Sequence, residues 1–308
     1  MKNIIKVMAV LMILVFTLSV VGCSAGDKNN SSTNDHTNVQ NDSNTADTAD
    51  TEDNSQDSQD NEQDAAQEED TADQDSAESD TMKKIKDTKK VVWGTNAEFP
   101  PFEMREGDQV IGIDAEIAAK IAEKLGVELV VEDMEFDALI TALQSGKIDF
   151  IAAGFTIEPD REKQVLFTDT YFKAVQAVMV QEGNEDIKAV ADLEGKKIGV
   201  QNGTTGDFVA SDIPGAEVVR YNSGIDAALD LKNGKIDAVI IDNLPAQMLM
   251  ESNPGLAVLD EKPSADEEYA IAVRKEDADL QQVINEVLKE MKDSGEIDEL
   301  VSKFSIGE

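Results

Sequence analysis

The sequence predicts an α/β protein of two similar lobes, each built on a mostly parallel sheet. First, short β-rich runs alternate with amphipathic helices over most of residues 82–308, as they do in βαβ units. Second, one helix-to-strand junction occurs twice, as LQSGKIDFIAAG from Leu143 and as LKNGKIDAVIID from Leu231. In both copies a glycine ends the helix and an apolar run follows, which predicts a buried strand at the same point of each lobe.

The first lobe is predicted from its order of elements. VVWGT (91–95) is a strand, and Asp114 caps the apolar-periodic helix that follows it. A β-rich run over 127–131 comes next, then a second helix capped by Asp137, then a strand over 148–153.

The second lobe repeats this order. KKIGVQ (196–201) and AEVVRY (216–221) are predicted strands, Ser223 caps a helix, and a strand covers 236–241. Ligands of open α/β sheets bind at the carboxyl ends of the strands. Two such edges facing each other would form a cleft between the lobes.

The chain continues past the second lobe with a strand over 269–275 and a strongly amphipathic helix over 280–291. This tail needs a surface to cover, so we expect it to return to the first lobe. The chain would then cross between the lobes twice, near 178–183 and near 267–269. The predicted boundaries are 82–181 with 269–308 for lobe 1, and 182–268 for lobe 2.

Residues 1–22 are predicted to be a targeting segment rather than part of the fold. The stretch 7–21 is free of charge but shorter than the roughly 20 residues that span a bilayer. Small residues then precede Cys23, a pattern that resembles a bacterial lipoprotein signal and implies a lipid on that cysteine. The alternative is an ordinary signal peptide with an incidental cysteine.

Residues 23–81 are predicted to be a disordered acidic tether. From Ser24 to Thr81 the chain has 18 acidic residues, one basic residue and no aromatic residue. Such a segment cannot bury enough apolar surface to offset the entropy lost on ordering. The single histidine of the chain, His36, lies here and is interpreted as a solvated residue.

Charge and cysteine content exclude several classes of partner. The formal net charge is −37, which argues against nucleic acid and anionic membrane surfaces as electrostatic partners. Because Cys23 is the only cysteine, no intrachain disulfide and no Cys-rich zinc site can form. We predict no cofactor and no metal.

Residues from about 91 to 304 resemble the polar-amino-acid family of extracellular solute-binding proteins, which serve ABC importers. The segments that carry the resemblance are GTNAEFPPFE (94–103), IGIDAEIAAKIAEKLG (111–126), LITALQSGKIDFIAAGFTIEPDREKQVLFTDTYF (139–172), DLEGKKIGVQNGTTGDF (192–208) and LKNGKIDAVIID (231–242). The resemblance implies a two-lobe, periplasmic-binding-protein-like (type II) fold with two crossover strands, which closes on one amino acid. It also implies ABC permease membrane subunits as partners, and a monomer anchored through lipid on the outer face of the cell membrane.

Carried over position by position, the resemblance implies roles for ten residues. Arg161 would bind the ligand α-carboxylate through its planar fork. Thr205 would reach the same carboxylate from the second lobe, and Asp242 would accept from the α-ammonium. The other implied contacts are hydrogen bonds from Thr156 and the backbone at Ala153 and Gly154, a sandwich of the ligand side chain between Phe99 and Phe136, and contacts of its far end with Asn96 and Gln201. As alternatives, Asp242 could cap a helix, the two phenylalanines could be core residues, and Asn96 and Gln201 could be turn residues.

Several ligands and more than one functional class remain compatible with the sequence. DREKQVLFT and GVQNGTT resemble arginine binders, whereas Asn96 and Gln201 would suit a neutral amide such as glutamine, so arginine, lysine and glutamine stay open. A sensor lipoprotein is one alternative class, and a dehydratase acting on cyclic pre-aromatic acids is another. An enzyme is disfavoured because residues 82–308 contain no His and no Cys to act as a tuned acid, base or nucleophile.

Overall fold

The computed structural model describes residues 78–305. The predictions for the targeting segment, for Cys23 and for most of the tether lie outside the described residues. Within 78–305, no helix is both long and apolar enough to span a bilayer.

The secondary structure alternates as the sequence predicts. The helices are α1 (Asp80–Thr88), α2 (Ile113–Leu125), α3 (Leu139–Gln144), α4 (Pro159–Glu162), α5 (Thr205–Ser211), α6 (Gly224–Lys232), α7 (Asn243–Ser252), α8 (Ala278–Ser294) and α9 (Glu296–Ser305). The strands are β1 (Lys90–Thr95), β2 (Glu98–Phe99), β3 (Glu103–Glu106), β4 (Gln109–Ile111), β5 (Glu128–Asp133), β6 (Phe150–Ile151), β7 (Leu166–Gln181), β8 (Lys197–Gln201), β9 (Glu217–Tyr221), β10 (Ala238–Asp242), β11 (Leu256–Val258) and β12 (Asp266–Val273).

One long strand joins the two lobes. The strand order is β5-β1-β6-β12-β7-β10-β8-β9, with β11 also paired to β7. Lobe 1 contains the parallel strands β5, β1 and β6, and lobe 2 contains the parallel strands β10, β8 and β9. Strand β7, 16 residues long, pairs with β12 as far as Val175 and with β10 from Gln176 onward. The predicted two-lobe α/β fold with two crossover strands is therefore confirmed.

The crossing on β7 lies slightly earlier than expected. Its change of partner falls between Val175 and Gln176, whereas the sequence placed the crossing near 178–183. On β12 the pairing with β7 begins at Asp266, beside the predicted crossing at 267–269. The lobe boundaries themselves stay a prediction.

The C-terminal tail covers lobe 1, as its amphipathic pattern predicts. Helix α8 packs against β7, β12 and α2. The side chains of its apolar stripe are buried, namely Leu280, Ile284, Val287, Leu288 and Met291. Gly295 then ends α8 in a left-handed conformation, and α9 follows.

Two predicted helix caps are wrong, and one is confirmed. Helix α2 begins at Ile113 after Gly112, and Asp114 lies inside it, fully buried, accepting from the Gly154 N–H at 2.8 Å. Asp137 lies in a 3-10 turn and accepts from the Asn202 side chain at 2.6 Å. Both carboxylates form tertiary contacts that a local pattern does not show. Ser223 does cap α6, since its hydroxyl accepts a hydrogen bond from the Asp226 N–H.

The folded unit begins before residue 82. Ser79 caps α1, and the buried Thr81 hydroxyl donates to Asp277 at 2.9 Å and accepts from Arg274 at 2.5 Å. Arg274 also donates to the carbonyl of Leu143 at 2.8 Å. The last residues of the predicted tether are thus held against lobe 1.

Candidate functional site

A cavity of about 290 Å³ lies between the two lobes. Its lining consists of Asn96, Phe99, Phe136, Ala153, Gly154, Thr156, Arg161, Gln201, Thr204, Thr205 and Asp242. The structure therefore brings together all ten residues to which the family resemblance assigned a site role in the fold.

The lining residues lie where strands end. Asn96 follows β1, and the stretch 153–156 follows β6. In lobe 2, Gln201 is the last residue of β8 and Asp242 is the last residue of β10. Both lobes thus present the carboxyl edge of a parallel sheet, which is the edge where open α/β sheets bind ligands.

Thr204 also lines the cavity and was not predicted. It is the N-cap of α5, and its hydroxyl accepts from the Asp207 N–H. The segment NGTTG resembles a loop in sequence, and the short helix that begins there has no apolar stripe long enough to recognise. A threonine followed three residues later by an acid is the local signal that indicates the cap.

Arg161 is a buried cation held by backbone carbonyls. Its Nη1 donates to the Thr156 carbonyl at 2.8 Å, and its Nη2 donates across the cleft to the Gly203 carbonyl at 3.1 Å. Its guanidinium carbon lies 4.4 Å from the Phe155 ring centroid and 5.3 Å from that of Phe136, both within cation–π range.

Arg161 has no ion-pair partner among the described residues. No carboxylate oxygen of residues 78–305 lies within 4.0 Å of its nitrogens. Burial lowers the pKa of Arg161 to about 10, although nearby acids, Glu158 first, oppose that shift. The side chain therefore stays charged at neutral pH, and a buried charge of this kind favours an anionic partner.

Asp242 is a buried carboxylate on the opposite lobe. The Tyr269 hydroxyl donates to its Oδ1 at 2.6 Å. Burial, with Glu267 nearby, raises the pKa of Asp242 to about 7. Although the residue occupies the N-cap position of α7, its side chain makes no capping hydrogen bond. The helix-cap alternative therefore does not account for this carboxylate.

Asn96 and Gln201 meet across the lobes. The Gln201 Nε2 donates to Asn96 Oδ1 at 2.8 Å and to the Asn222 carbonyl at 3.1 Å, while the Asn96 Nδ2 donates to the Met134 carbonyl at 2.9 Å. Both side chains are buried rather than turn residues at the surface. The amide hydrogens of Gln201 are thus already used, which leaves its carbonyl oxygen as the group that can accept from a ligand.

The two phenylalanines line the cavity and also pack on other aromatic rings, while the predicted contact with a ligand side chain stays a prediction. Phe99 stacks on Phe102 at 5.9 Å between ring centroids, and Phe136 tilts against Phe155 at 5.6 Å. Each ring therefore packs on a core aromatic and also lines the cavity.

Sequence reasoning missed the residues of the crossover strands that support the cavity. Glu267 on β12 accepts from the hydroxyls of Thr205 at 2.7 Å and Thr156 at 3.2 Å. Gln176, at the partner change on β7, donates to the Thr205 hydroxyl at 3.0 Å. Glu267 and Tyr269 bound the second predicted crossing, and a ligand between two lobes lies near their crossings, so that position was the available signal.

Alanine substitution at Gly154 tests how tightly Phe99 packs against the cavity wall. Its φ of +51° is left-handed, and a Cβ there would lie 2.6 Å from Phe99 Cε1. Gly107 has a similar φ of +61° with open space around it, so it is a matched control. We expect Gly107→Ala to cost about 1 kcal/mol from backbone strain, and Gly154→Ala at least about 2 kcal/mol from strain plus overpacking. Chemical denaturation of both variants measures this, and equal losses would show that Phe99 does not restrict the position.

Within residues 78–305 no group of three His, Cys, Asp or Glu side chains is placed to hold a metal ion. The site is therefore described by its one cation, its one lining carboxylate and its neutral polar and aromatic walls.

Known proteins match the chain over the part that contains the cavity. The model of the bacterial extracellular solute-binding proteins, family 3, matches residues 91–307. The arginine-binding extracellular protein ArtP of Bacillus subtilis (strain 168) is 37% identical over 225 residues, which are 71% of this chain and 88% of that protein. The solved structure of holo ArgBP from T. maritima is 43% identical with a TM-score of 0.66, covering 68% of this chain and 93% of that one. The structure of an ancestral arginine-binding protein bound to glutamine is 42% identical with a TM-score of 0.64, covering 70% and 97%.

Proposed function

Because this chain belongs to the bacterial extracellular solute-binding proteins of family 3, we propose that it is the substrate-binding component of an ABC importer for a polar L-amino acid. Its fold is the two-lobe type II fold of periplasmic binding proteins. In this role the lobes close on one amino acid outside the cytoplasm, and the loaded protein delivers it to a membrane permease as a monomer.

The observation that carries the proposal is the pair of buried charges in one small cavity. Arg161 is a cation without an ion-paired carboxylate among the described residues, and Asp242 is a carboxylate without a cation. A free amino acid supplies the missing partner of each through its α-carboxylate and α-ammonium. We infer that the lining residues Asn96, Phe99, Phe136, Ala153, Gly154, Thr156, Gln201, Thr204 and Thr205 complete the site.

The lining residues at the far end of the cavity limit which ligand side chains can bind there. Arg161 is the only cation among the lining residues, so an acidic side chain would find no counter-charge there. The Gln201 carbonyl favours a donor such as a guanidinium, an ammonium or an amide N–H. The relatives are named as binders of arginine, and one was solved with glutamine. The proposed ligands are therefore L-arginine, L-lysine and L-glutamine.

Isothermal titration calorimetry tests the proposal. L-arginine, L-lysine, L-glutamine and L-glutamate are each titrated into the purified protein, and the ligand is recovered afterwards. We expect at least one of the first three to bind with one ligand per chain, no binding of L-glutamate, and recovery of the ligand unchanged. No heat with any of the first three would contradict the proposed ligand class, and chemical turnover would favour the enzyme alternative.

We further propose that Cys23 carries the lipid that anchors the protein to the outer face of the membrane. In that case Cys23→Ala should release the protein into the medium or the periplasm while its binding isotherm stays unchanged, because the cavity lies within residues 96–242. Cell fractionation measures this. A variant that still sediments with membranes would be evidence for another anchor.

A further inference from the structure

Beside the cavity, in contact with two of its lining threonines, lies a carboxylate to which the proposed function gives no role. Glu267 is the second residue of β12 and is half-buried. Its Oε2 accepts from the Thr205 hydroxyl at 2.7 Å, from the Thr156 hydroxyl at 3.2 Å and from the Gln176 Nε2 at 3.3 Å. A single oxygen atom is thus the common acceptor of three side chains.

These three donors come from different parts of the fold. Thr156 follows β6 in lobe 1, Thr205 begins α5 in lobe 2, and Gln176 lies on β7 where that strand changes partner. Backbone hydrogen bonds fix Glu267 beside lobe 1, since the Glu268 carbonyl accepts from the Ile157 N–H at 3.0 Å. The contact with Thr205 is therefore made across the cleft.

The protons of the two hydroxyls decide what the threonines can do. A threonine hydroxyl has one proton to donate. In the structure Thr205 and Thr156 direct that proton to Glu267, and Thr205 accepts in turn from Gln176. While these bonds last, neither hydroxyl can donate to a ligand carboxylate.

We propose that Glu267 is a positioning residue that latches the two lobes together, and that Thr156 and Thr205 influence ligand affinity through Glu267. This differs from the direct contact with the ligand carboxylate that the family resemblance implies for Thr205. Hydrogen bonds to a charged acceptor are among the stronger ones in proteins, so their loss should shift the balance between open and closed lobes.

The first test needs no ligand. In the full-length chain, Cys23 is replaced by serine, and spin labels are attached to cysteines introduced at the exposed positions Glu123 in lobe 1 and Glu194 in lobe 2. Pulsed electron resonance then gives the distribution of distances between the lobes. Glu267→Ala should shift that distribution toward longer distances. Glu268→Ala, at the exposed neighbouring position on the same strand, should leave it unchanged. A distribution for Glu267→Ala that matches the parent protein would overturn the latch.

The second test asks whether Thr205 acts through Glu267, with L-arginine as the probe. Glu267→Ala and Thr205→Val should each weaken binding roughly tenfold or more, mainly through faster dissociation. The double variant should be no weaker than Glu267→Ala alone, because the two changes remove one interaction. If Thr205→Val weakens binding by the same factor with and without Glu267, the hydroxyl acts on the ligand directly and the proposal is wrong.

Two further results keep these tests separate from folding and from the choice of ligand. Glu267→Gln keeps one acceptor oxygen and should lie between the parent and Glu267→Ala in both experiments, and each variant is checked for an intact melting transition. Absence of L-arginine binding to the parent protein would count against the ligand named above, whereas the distance measurement would still decide the latch.

Discussion

Arg161→Ala is expected to weaken binding of the natural amino acid by at least about 30-fold and by as much as several thousand-fold. The guanidinium is buried, and no carboxylate of residues 78–305 pairs with it. In the complex it would meet the ligand α-carboxylate in a dry cavity. Its removal would leave that carboxylate desolvated and unpaired, which is the costly way to break a buried charge pair.

The selectivity of the Arg161 variant identifies the contact that is lost. Wild type should reject the amide of the amino acid, whereas Arg161→Ala should discriminate much less between the acid and its amide. Arg161→Lys keeps the charge but loses the planar fork, so it should be intermediate. Lys163→Ala is the matched control, because the exposed Lys163 side chain pairs with Asp160 and does not line the cavity. Wild-type affinity and selectivity in Arg161→Ala would overturn the assignment.

Asp242→Asn is expected to produce a loss of similar size at pH 8, because the α-ammonium then has no anionic partner. The size of the loss should depend on pH. Burial raises the pKa of Asp242 from 3.8 to about 7, so below about pH 7 the ligand-free protein holds a proton there that the ammonium must displace. Wild-type affinity should therefore fall as pH decreases, by about tenfold per unit below pH 7, and level off above it. Asp242→Asn should have a flat profile that converges with wild type near pH 5.

A second buried acid makes this test specific. Asp114, which accepts from the Gly154 N–H behind the cavity wall, has its pKa raised by burial to about 6. If Asp114 caused the pH dependence, the ligand affinity of the Asp242→Asn variant would still fall as pH decreases. Calorimetry of both proteins from pH 5 to pH 8 separates the two groups.

The free energy of unfolding should depend on pH in the opposite direction to the ligand affinity. The ligand-free protein should lose stability as pH rises from about 4 to about 7, because the folded state binds the Asp242 proton more tightly than the unfolded chain.

The order of elements could be predicted because its signals are local. Glycine stops, the Ser223 cap and the α8 stripe each lie within a few residues of the feature that they specify. The alternating pattern predicted a ligand cleft at the carboxyl ends of the strands, whereas the individual lining residues were named from the family resemblance.

The rest could not be predicted because it depends on partners that are distant in sequence. Asp114 and Asp137 each precede an apolar run as a cap does, yet their partners are 40 and 65 residues away. Glu267 lies among other acids near the predicted crossing, and the return of β12 beside Thr156 decides which of them contacts the cavity. The sheet of β2, β3 and β4 has strands of two to four residues, which are too short to show a period of two.

The attachment of α1 has a mechanical consequence. Thr81 is tied to Arg274 and Asp277, and Lys84 to Asp149, and all of these partners lie on the lobe 1 side of the crossovers. A pull along the chain from before residue 78 therefore enters the fold through lobe 1 alone. The described contacts of α1 are all with lobe 1, so a movement of lobe 2 about the crossover strands would not change the load on the chain before residue 78.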